Sequence, residues 1–165
     1  MSRPRIIPDS RVFAAILRLI AEDGEKAVAF SAVARASGLA APSLVQRYGS
    51  LQAMIHAALL SEWDRLDSLA DDAIAEVLAA GKGPQALLKA LGSQTTPALL
   101  AASARDAALR ARAEHWRAKV EAALTARLKD ADTAAMLFAL WQGQALWESA
   151  GDKGFKLKEA IKRLG

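Results

Sequence analysis

The sequence predicts an all-α protein, and two observations carry this prediction. The 165-residue chain contains 39 alanines, whereas β-branched and aromatic residues are scarce. Alanine and leucine lose little conformational freedom in a helix, so they favour helices over strands. Apolar residues also recur at helical spacing, as at Val12, Phe13, Ile16, Leu17 and Ile20. We therefore expect a bundle of helices.

The composition excludes several classes of site. The chain has no cysteine, which excludes disulfides, thiolate metal sites and cysteine nucleophiles. His56 and His115 lie far apart, so no zinc site is expected. No apolar run reaches the ~18 residues of a membrane span, and no export signal is predicted around Arg3 and Arg5. No cofactor and no catalytic constellation is expected. These observations predict a cytoplasmic protein that is not an enzyme.

The net charge of +4 is unevenly distributed. Residues 1–50 carry seven basic and four acidic side chains, residues 51–80 carry one and six, and residues 81–165 carry fourteen and eight. A basic N-terminal block favours an anionic partner at that end of the chain. Solvated basic faces are also common, so the charge alone leaves this partner open.

Local signals predict the helix boundaries of the first half. The first helix is predicted to begin at Asp9 or Ser10, either of which can cap it, and to end at Gly24. A short second helix ends at Gly38, which suits a left-handed C-terminal cap. A short third helix ends near Gly49.

A long fourth helix is predicted from about residue 51 to 80, capped by Ser50 and with Leu69 and Leu78 on its apolar side. It joins two predicted domains, residues 1–50 and 51–165. Asp130 and Asp132 are predicted to cap one of the later helices. These helices are expected at about 85–92, 97–104, 106–129, 132–150 and 155–164.

Residues 12–55 carry a family resemblance. The stretch VFAAILRLIAEDG is followed by FSAVARASGLAAPSLVQRYGSLQAMIHAAL. The order of helix, Gly, short helix, Ser-Gly-Leu turn, short helix, Tyr-Gly-Ser and long helix resembles the DNA-binding domain of TetR-family transcriptional regulators. The resemblance implies an N-terminal three-helix helix-turn-helix domain, joined by a long helix to a C-terminal helical domain for ligand binding and dimerisation.

The resemblance makes the third helix the recognition helix, which enters the major groove of double-stranded operator DNA. Gln46 can pair with adenine and Arg47 with guanine or phosphate. The complete set of predicted DNA contacts is Arg3, Arg5, Ser31, Ala41, Pro42, Ser43, Gln46, Arg47 and Tyr48. The family often has capping or phosphate-binding residues where this chain has Ala29, Ala40, Ala41, Val45 and Leu51. Fewer phosphate contacts lower affinity, so weak or absent operator binding stays an alternative.

The helix at 132–150 predicts a homodimer. It is apolar nearly all round, and such a helix must be covered on every side. A chain this small is not expected to bury both Trp141 and Trp147. The resemblance implies that the last helices of two subunits form the interface. The predicted interface residues are Phe138, Gln142, Gly143, Ala145, Leu146, Trp147 and Ile161.

The resemblance also implies a pocket for a small-molecule inducer in the second half. Residues Trp63, His115, Trp116, Phe138, Trp141 and Gln142 are predicted to line it, with Gln144 as a further candidate for its polar anchor. The few charges there favour an uncharged ligand. By moving the long helix, the ligand is expected to change the separation of the two recognition helices. The sequence thus predicts a ligand-responsive repressor. The alternative is a helical ligand-binding or interaction protein with weak or no operator binding.

Overall fold

All regular structure in the described part of the chain is helical, which confirms the predicted fold class. The computed structural model describes residues 7–92, 95–148, 150–151 and 156–164. The helices are α1 Asp9–Asp23, α2 Phe30–Ser37, α3 Ala41–Tyr48, α4 Leu51–Ala79, α5 Pro84–Leu91, α6 Pro97–Arg105, α7 Ala107–Leu128, α8 Ala131–Glu148 and α9 Leu157–Leu164, and a 3₁₀ turn spans Glu25–Ala27.

The chain forms two compact units, residues 1–63 and 64–165. The division falls inside α4, so this single helix belongs to both units. The domain boundary expected at residue 50 corresponds to the start of α4, thirteen residues before the point at which the two units divide.

In the first unit, α1 packs on α2 and α2 packs on α3. Val12, Ile16, Val33 and Leu44 are completely buried, because each lies on the apolar face of its amphipathic helix. The turn between α2 and α3 depends on Gly38, whose φ of 79° lies in the left-handed region that favours glycine. Its N–H donates to the Ala34 carbonyl at 2.9 Å. This tight turn fixes α3 against α2.

The capping prediction for α1 is wrong. Pro8 occupies the N-cap position and makes no side-chain cap. Asp9 is instead the first helical residue, and its carboxylate accepts hydrogen bonds from α3. By contrast, the predicted Ser50 cap is confirmed, because its hydroxyl oxygen accepts a bond from the Ala53 N–H at 3.1 Å.

In the second unit, α7 and α8 pack together as a helical hairpin, and α6 and α9 pack on α7 and α8 respectively. Asp106 caps α7 by accepting from the Leu109 N–H at 2.9 Å. Asp130 accepts from the Thr133 N–H at 2.6 Å, as its predicted capping role requires, whereas Asp132 lies within the first turn of α8. This bond to the backbone lowers the pKa of Asp130, because it stabilises the carboxylate.

The predicted apolar side of α4 is confirmed as far as Leu66, but its C-terminal part differs from the prediction. Within the second unit the buried face carries Leu66, Ala70, Ala73 and Val77, whose spacing of four, three and four residues keeps them on one side of the helix. Leu69 and Leu78 lie off this line and are 37% and 70% exposed. No helix in the described ranges is both long enough and apolar enough to cross a membrane.

Candidate functional site

The outer surface of helix α3 carries both polar and apolar side chains, and Val45 is 45% exposed. Leu44 lies on the inner side of α3, packs in the core of the first unit and is fully buried. Pro42, Gln46 and Arg47 are exposed, and Ala41, Ser43 and Tyr48 are half-buried. Gln46 and Arg47 are adjacent in the chain, so an amide and a guanidinium lie next to each other on this surface. Ser31 is exposed on α2, while Arg3 and Arg5 lie outside the described residues.

The C-terminal end of α3 is tied to the start of α1. The Arg47 guanidinium donates Nη1–H bonds to the Ile7 carbonyl at 2.8 Å and to the Asp9 carboxylate at 3.1 Å. The Tyr48 hydroxyl donates to the same carboxylate oxygen at 2.6 Å. The Tyr48 ring also lies 6.0 Å from the Phe13 ring, measured between centroids. We call Asp9, Arg47 and Tyr48 the α1–α3 latch.

The latch changes the chemistry of its members. Burial and the hydrogen bond to Asp9 together raise the pKa of Tyr48 to about 12, because a nearby carboxylate disfavours a phenolate. The Arg47–Asp9 ion pair is partly exposed, with side chains 32% and 57% accessible. Such a pair is weak enough for an external anion to replace the carboxylate. Sequence reasoning missed Asp9, since its partners lie 38 and 39 residues away.

Three predicted ligand residues of the second unit come together, but as packed core. The ring centroids of Trp116 and Phe138 are 6.0 Å apart, those of Trp116 and Trp141 are 6.2 Å apart, and those of Phe138 and Trp141 are 5.9 Å apart. All three side chains are buried. The Trp116 indole donates to the Leu66 carbonyl at 3.2 Å, and the Arg117 guanidinium lies 5.6 Å from the Phe138 centroid. The three rings fill the space that was predicted to be a ligand cavity.

The other predicted ligand residues have separate surroundings. Trp63 is buried on α4. His115 has a largely exposed side chain, whose Nε2 lies 3.6 Å from the Asp67 carboxylate. Gln142 accepts a hydrogen bond from the Thr95 hydroxyl at 2.6 Å. Of the expected polar anchors, His115 and Gln142 therefore have partners outside the aromatic cluster.

A surface groove of about 440 Å³ lies beside the aromatic cluster, between α5, α8 and α9. This volume falls within the usual range for small-molecule sites. Trp141 and Gln144 are the predicted ligand residues that line it. The full lining is Gln85, Leu88, Lys89, Gly92, Trp141, Gln144, Ala145, Glu148, Lys156, Leu157 and Lys158.

A different side of α8 is exposed and apolar. Met136, Leu146 and Trp147 are 48%, 49% and 67% accessible. At about 100° per residue, Met136, Gly143 and Trp147 fall within about 40° of one another around the helix. A Cβ added to Gly143 would meet nothing within 4 Å, so this stretch is open surface. We call Met136, Gly143, Leu146 and Trp147 the α8 apolar face.

Only some of the predicted interface residues lie on the α8 apolar face. Gly143, Leu146 and Trp147 lie on the α8 apolar face. Phe138 is buried in the aromatic cluster, Ala145 lines the groove, and Gln142 bonds Thr95. Ile161 is half-buried on α9. The expectation that one chain does not bury both Trp141 and Trp147 is confirmed, since Trp141 is 5% exposed and Trp147 is 67% exposed.

Solved structures identify the fold. A Streptomyces coelicolor A3(2) protein, SCO7518, provisionally assigned as a transcriptional regulator, matches with a TM-score of 0.67 and 22% identity, over 94% of both chains. The fold is that of TetR-like regulators. The multidrug binding protein EbrR, crystallised with imidazole, matches with a TM-score of 0.59 and 24% identity, over 94% of this chain and 86% of its own.

A third structure agrees with this assignment of the fold. A Rhodococcus sp. protein, provisionally assigned to the TetR-family transcriptional regulators, matches with a TM-score of 0.59 and 18% identity, over 94% of this chain and 93% of its own. No family model and no curated protein sequence matches the chain. The resemblance predicted from residues 12–55 thus extends to the fold of nearly the whole chain.

Proposed function

We propose that this protein is a cytoplasmic TetR-like transcriptional repressor that binds palindromic operator DNA as a homodimer and is released by a small molecule. One observation carries the proposal. Helices α2 and α3 form a helix-turn-helix, with Leu44 buried and Gln46 and Arg47 exposed, in a chain whose fold matches regulators over 94% of its length.

The proposed DNA contacts centre on the outer surface of α3. A glutamine amide can form two hydrogen bonds to adenine, and a guanidinium can form two to guanine or bind phosphate. Gln46 is therefore assigned to base recognition. Arg47 reaches DNA by exchanging the Asp9 carboxylate for a phosphate or a base edge, since both offer oxygen acceptors.

The proposed homodimer forms through the α8 apolar face. An exposed tryptophan beside an exposed leucine and methionine favours association, because burying apolar surface releases ordered water. Tryptophan is also enriched among the residues that dominate interface energies. A two-fold dimer presents two copies of α3, which suits a palindromic operator.

Ligand release is proposed to act through α4. This helix starts two residues after α3 ends and continues into the second unit. A ligand bound in the second unit that moves α4 alters the separation of the recognition helices. EbrR, which has the same fold, is named a multidrug binding protein. By linkage, such a ligand must itself bind less tightly when operator is present.

The alternative function is a ligand-binding or interaction protein with weak operator affinity. It is favoured by the helix starts in the first unit. Ala29 and Ala40 are the N-caps of α2 and α3, and neither provides a side-chain cap. Alanine also cannot contact phosphate through its side chain, and each missing phosphate contact weakens binding in a salt-dependent manner.

Fluorescence anisotropy with DNA from upstream of the protein's own gene tests the proposal. Titrations at low and physiological salt are compared with a shuffled duplex of equal length and composition. We expect the upstream duplex to bind at least about 1,000-fold more tightly than the shuffled one at physiological salt. Equal affinity for both duplexes would reject operator recognition and support the alternative.

A further inference from the structure

The groove between α5, α8 and α9 has an apolar floor. Leu88 and Trp141 are almost completely buried and reach the groove with only an edge. Ala145 and Leu157 are half-buried and complete this floor. An apolar group placed here would remove hydrocarbon surface from water on both sides of the contact, which favours binding.

The rim of the groove is basic. Lys89 comes from α5, Lys158 from α9 and Lys156 from the residue just before α9, and all three are exposed. None of the three ammonium groups has an ion-pair or hydrogen-bond partner among the residues that the structure describes. Glu148 is the one acidic side chain of the lining, and it does have a partner of its own. Three ammonium groups around an apolar floor attract a molecule that carries negative charge.

We propose that this groove binds a small amphipathic anion. Its aromatic or acyl body lies on the floor formed by Leu88, Trp141 and Leu157. Its carboxylate, sulfonate or phosphate group lies between the lysines. The uncharged ligand expected from the sequence does not match this rim.

The groove and the α8 apolar face lie on different sides of the same helix. The α8 residues that line the groove are Trp141, Gln144, Ala145 and Glu148, which are centred roughly 130° around the helix from Gly143 and Trp147. Ligand binding and subunit association therefore use separate surfaces. The proposal deepens the ligand-binding half of the proposed function, and it assigns both a place and a chemical class to the ligand.

Two fluorescent probes that differ by one charged group test this assignment. Anilinonaphthalene sulfonate is an amphipathic anion, and N-phenylnaphthylamine is its uncharged analogue. We expect the anion to bind at least about tenfold more tightly than the analogue. The triple variant Lys89→Gln, Lys156→Gln, Lys158→Gln should reduce this preference to less than about twofold. Lys162→Gln, on α9 but outside the lining, should retain it.

Blocking the floor provides an independent measurement. Ala145→Trp fills the groove and should weaken both probes by about tenfold or more. Ala90→Trp adds the same ring to an exposed position of α5 outside the lining and should have no effect. Circular dichroism melting curves check that each variant folds.

The proposal is overturned if the two probes bind equally well to the wild type. It is also overturned if the triple lysine variant keeps the preference for the anion, or if Ala145→Trp leaves binding unchanged. The titrations contain no DNA, so a protein without operator binding still gives a decisive result. Equally, failure of the probes leaves the operator measurement unaffected.

Discussion

The outer surface of α3 and the α8 apolar face differ in whether the chain itself supplies partners for their exposed side chains. On α3, the exposed cation Arg47 already has an anionic partner, because Asp9 accepts its hydrogen bond. On α8, Trp147 is 67% exposed, beside the exposed Met136 and Leu146. In the proposed function, a DNA phosphate would therefore compete with an existing contact, whereas a second subunit would cover surface that is open to solvent.

The two proposed functions should therefore respond differently to substitutions. In the proposed DNA contact, the affinity of α3 for phosphate depends on the strength of the α1–α3 latch, so a change in Asp9 should alter this affinity by small factors. In the proposed dimer, the described residues offer no comparable internal partner for the Trp147 side chain, so a single charge on the α8 apolar face should prevent association.

The largest effect is expected from Trp147→Glu. A carboxylate at the centre of an apolar interface loses its hydration without gaining a partner. We expect a dimer at micromolar concentration to become a folded monomer in sedimentation velocity. Leu78→Glu introduces the same charge at a 70% exposed position on α4 and should leave the dimer intact. A wild-type chain that sediments as a stable monomer would contradict the role of α8.

Phe138→Ala should affect folding rather than assembly alone. This ring contacts Trp116 and Trp141 inside the subunit, so its removal leaves a cavity. We expect a loss of about 3–5 kcal/mol in the free energy of unfolding, measured by urea denaturation. Leu100→Ala, at an exposed position of α6, should cost less than about 1 kcal/mol. Equal losses in the two variants would show that the aromatic cluster is not core.

Arg47→Ala should weaken operator binding by about tenfold at matched salt, because one direct contact to DNA is lost. If that contact is to phosphate, the slope of log affinity against log salt should also decrease by about one. Arg35→Ala removes another exposed arginine, on α2, and serves as the control. An unchanged affinity in Arg47→Ala would remove this residue from the interface.

Asp9→Asn should have the opposite and smallest effect. The amide is a weaker partner for Arg47 and carries no charge to repel phosphate, so operator affinity should rise by about two- to fivefold. Ser10→Ala, at the next exposed position of α1, is the matched control. A fall in affinity with Asp9→Asn would mean that the latch positions Arg47 for binding instead of competing with DNA.

The titration of the Tyr48 hydroxyl tests the α1–α3 latch independently, because Tyr48 is the chain's single tyrosine and its absorbance is not overlaid by that of another. The tyrosinate absorbance should rise near pH 12 in the wild type. In Asp9→Asn the midpoint should shift towards 10, but only partly, since burial also raises this pKa. Because the folded chain disfavours the phenolate, the stability linked to Tyr48 is complete below pH 10 and falls as the pH rises from 10 to 12. Identical titration curves for both proteins would contradict the contact.

The sequence predicted the features that depend on local signals. Gly38 suited a left-handed cap, and Ser50 suited an N-cap. The apolar circumference of α8 indicated that one chain does not bury both Trp141 and Trp147. The α1–α3 latch joins residues nearly forty positions apart, and no local pattern marks Asp9 as the partner of Tyr48. Asp9 was therefore interpreted from its position as a helix cap.

The ligand site was also only partly predictable from the sequence, but for a different reason. Tryptophan and phenylalanine at helical spacing are compatible with either a cavity or a core, and only packing distances separate the two. Trp116 and Phe138 pack against each other, while Trp141 reaches the groove. The rim lysines Lys89, Lys156 and Lys158 come from separate segments, so their grouping depends on tertiary structure.

The most direct test compares the wild type with Trp147→Glu in binding to a full operator and to a single half-site. Binding of the full operator by a dimer requires both the outer surface of α3 and the α8 apolar face. The wild type should bind the full palindrome as two subunits, at least about 100-fold more tightly than the half-site, since the second contact becomes intramolecular. Trp147→Glu should bind both duplexes with the same weak affinity. The account is contradicted if the variant keeps the wild-type affinity for the full operator, or if the wild type does not prefer it.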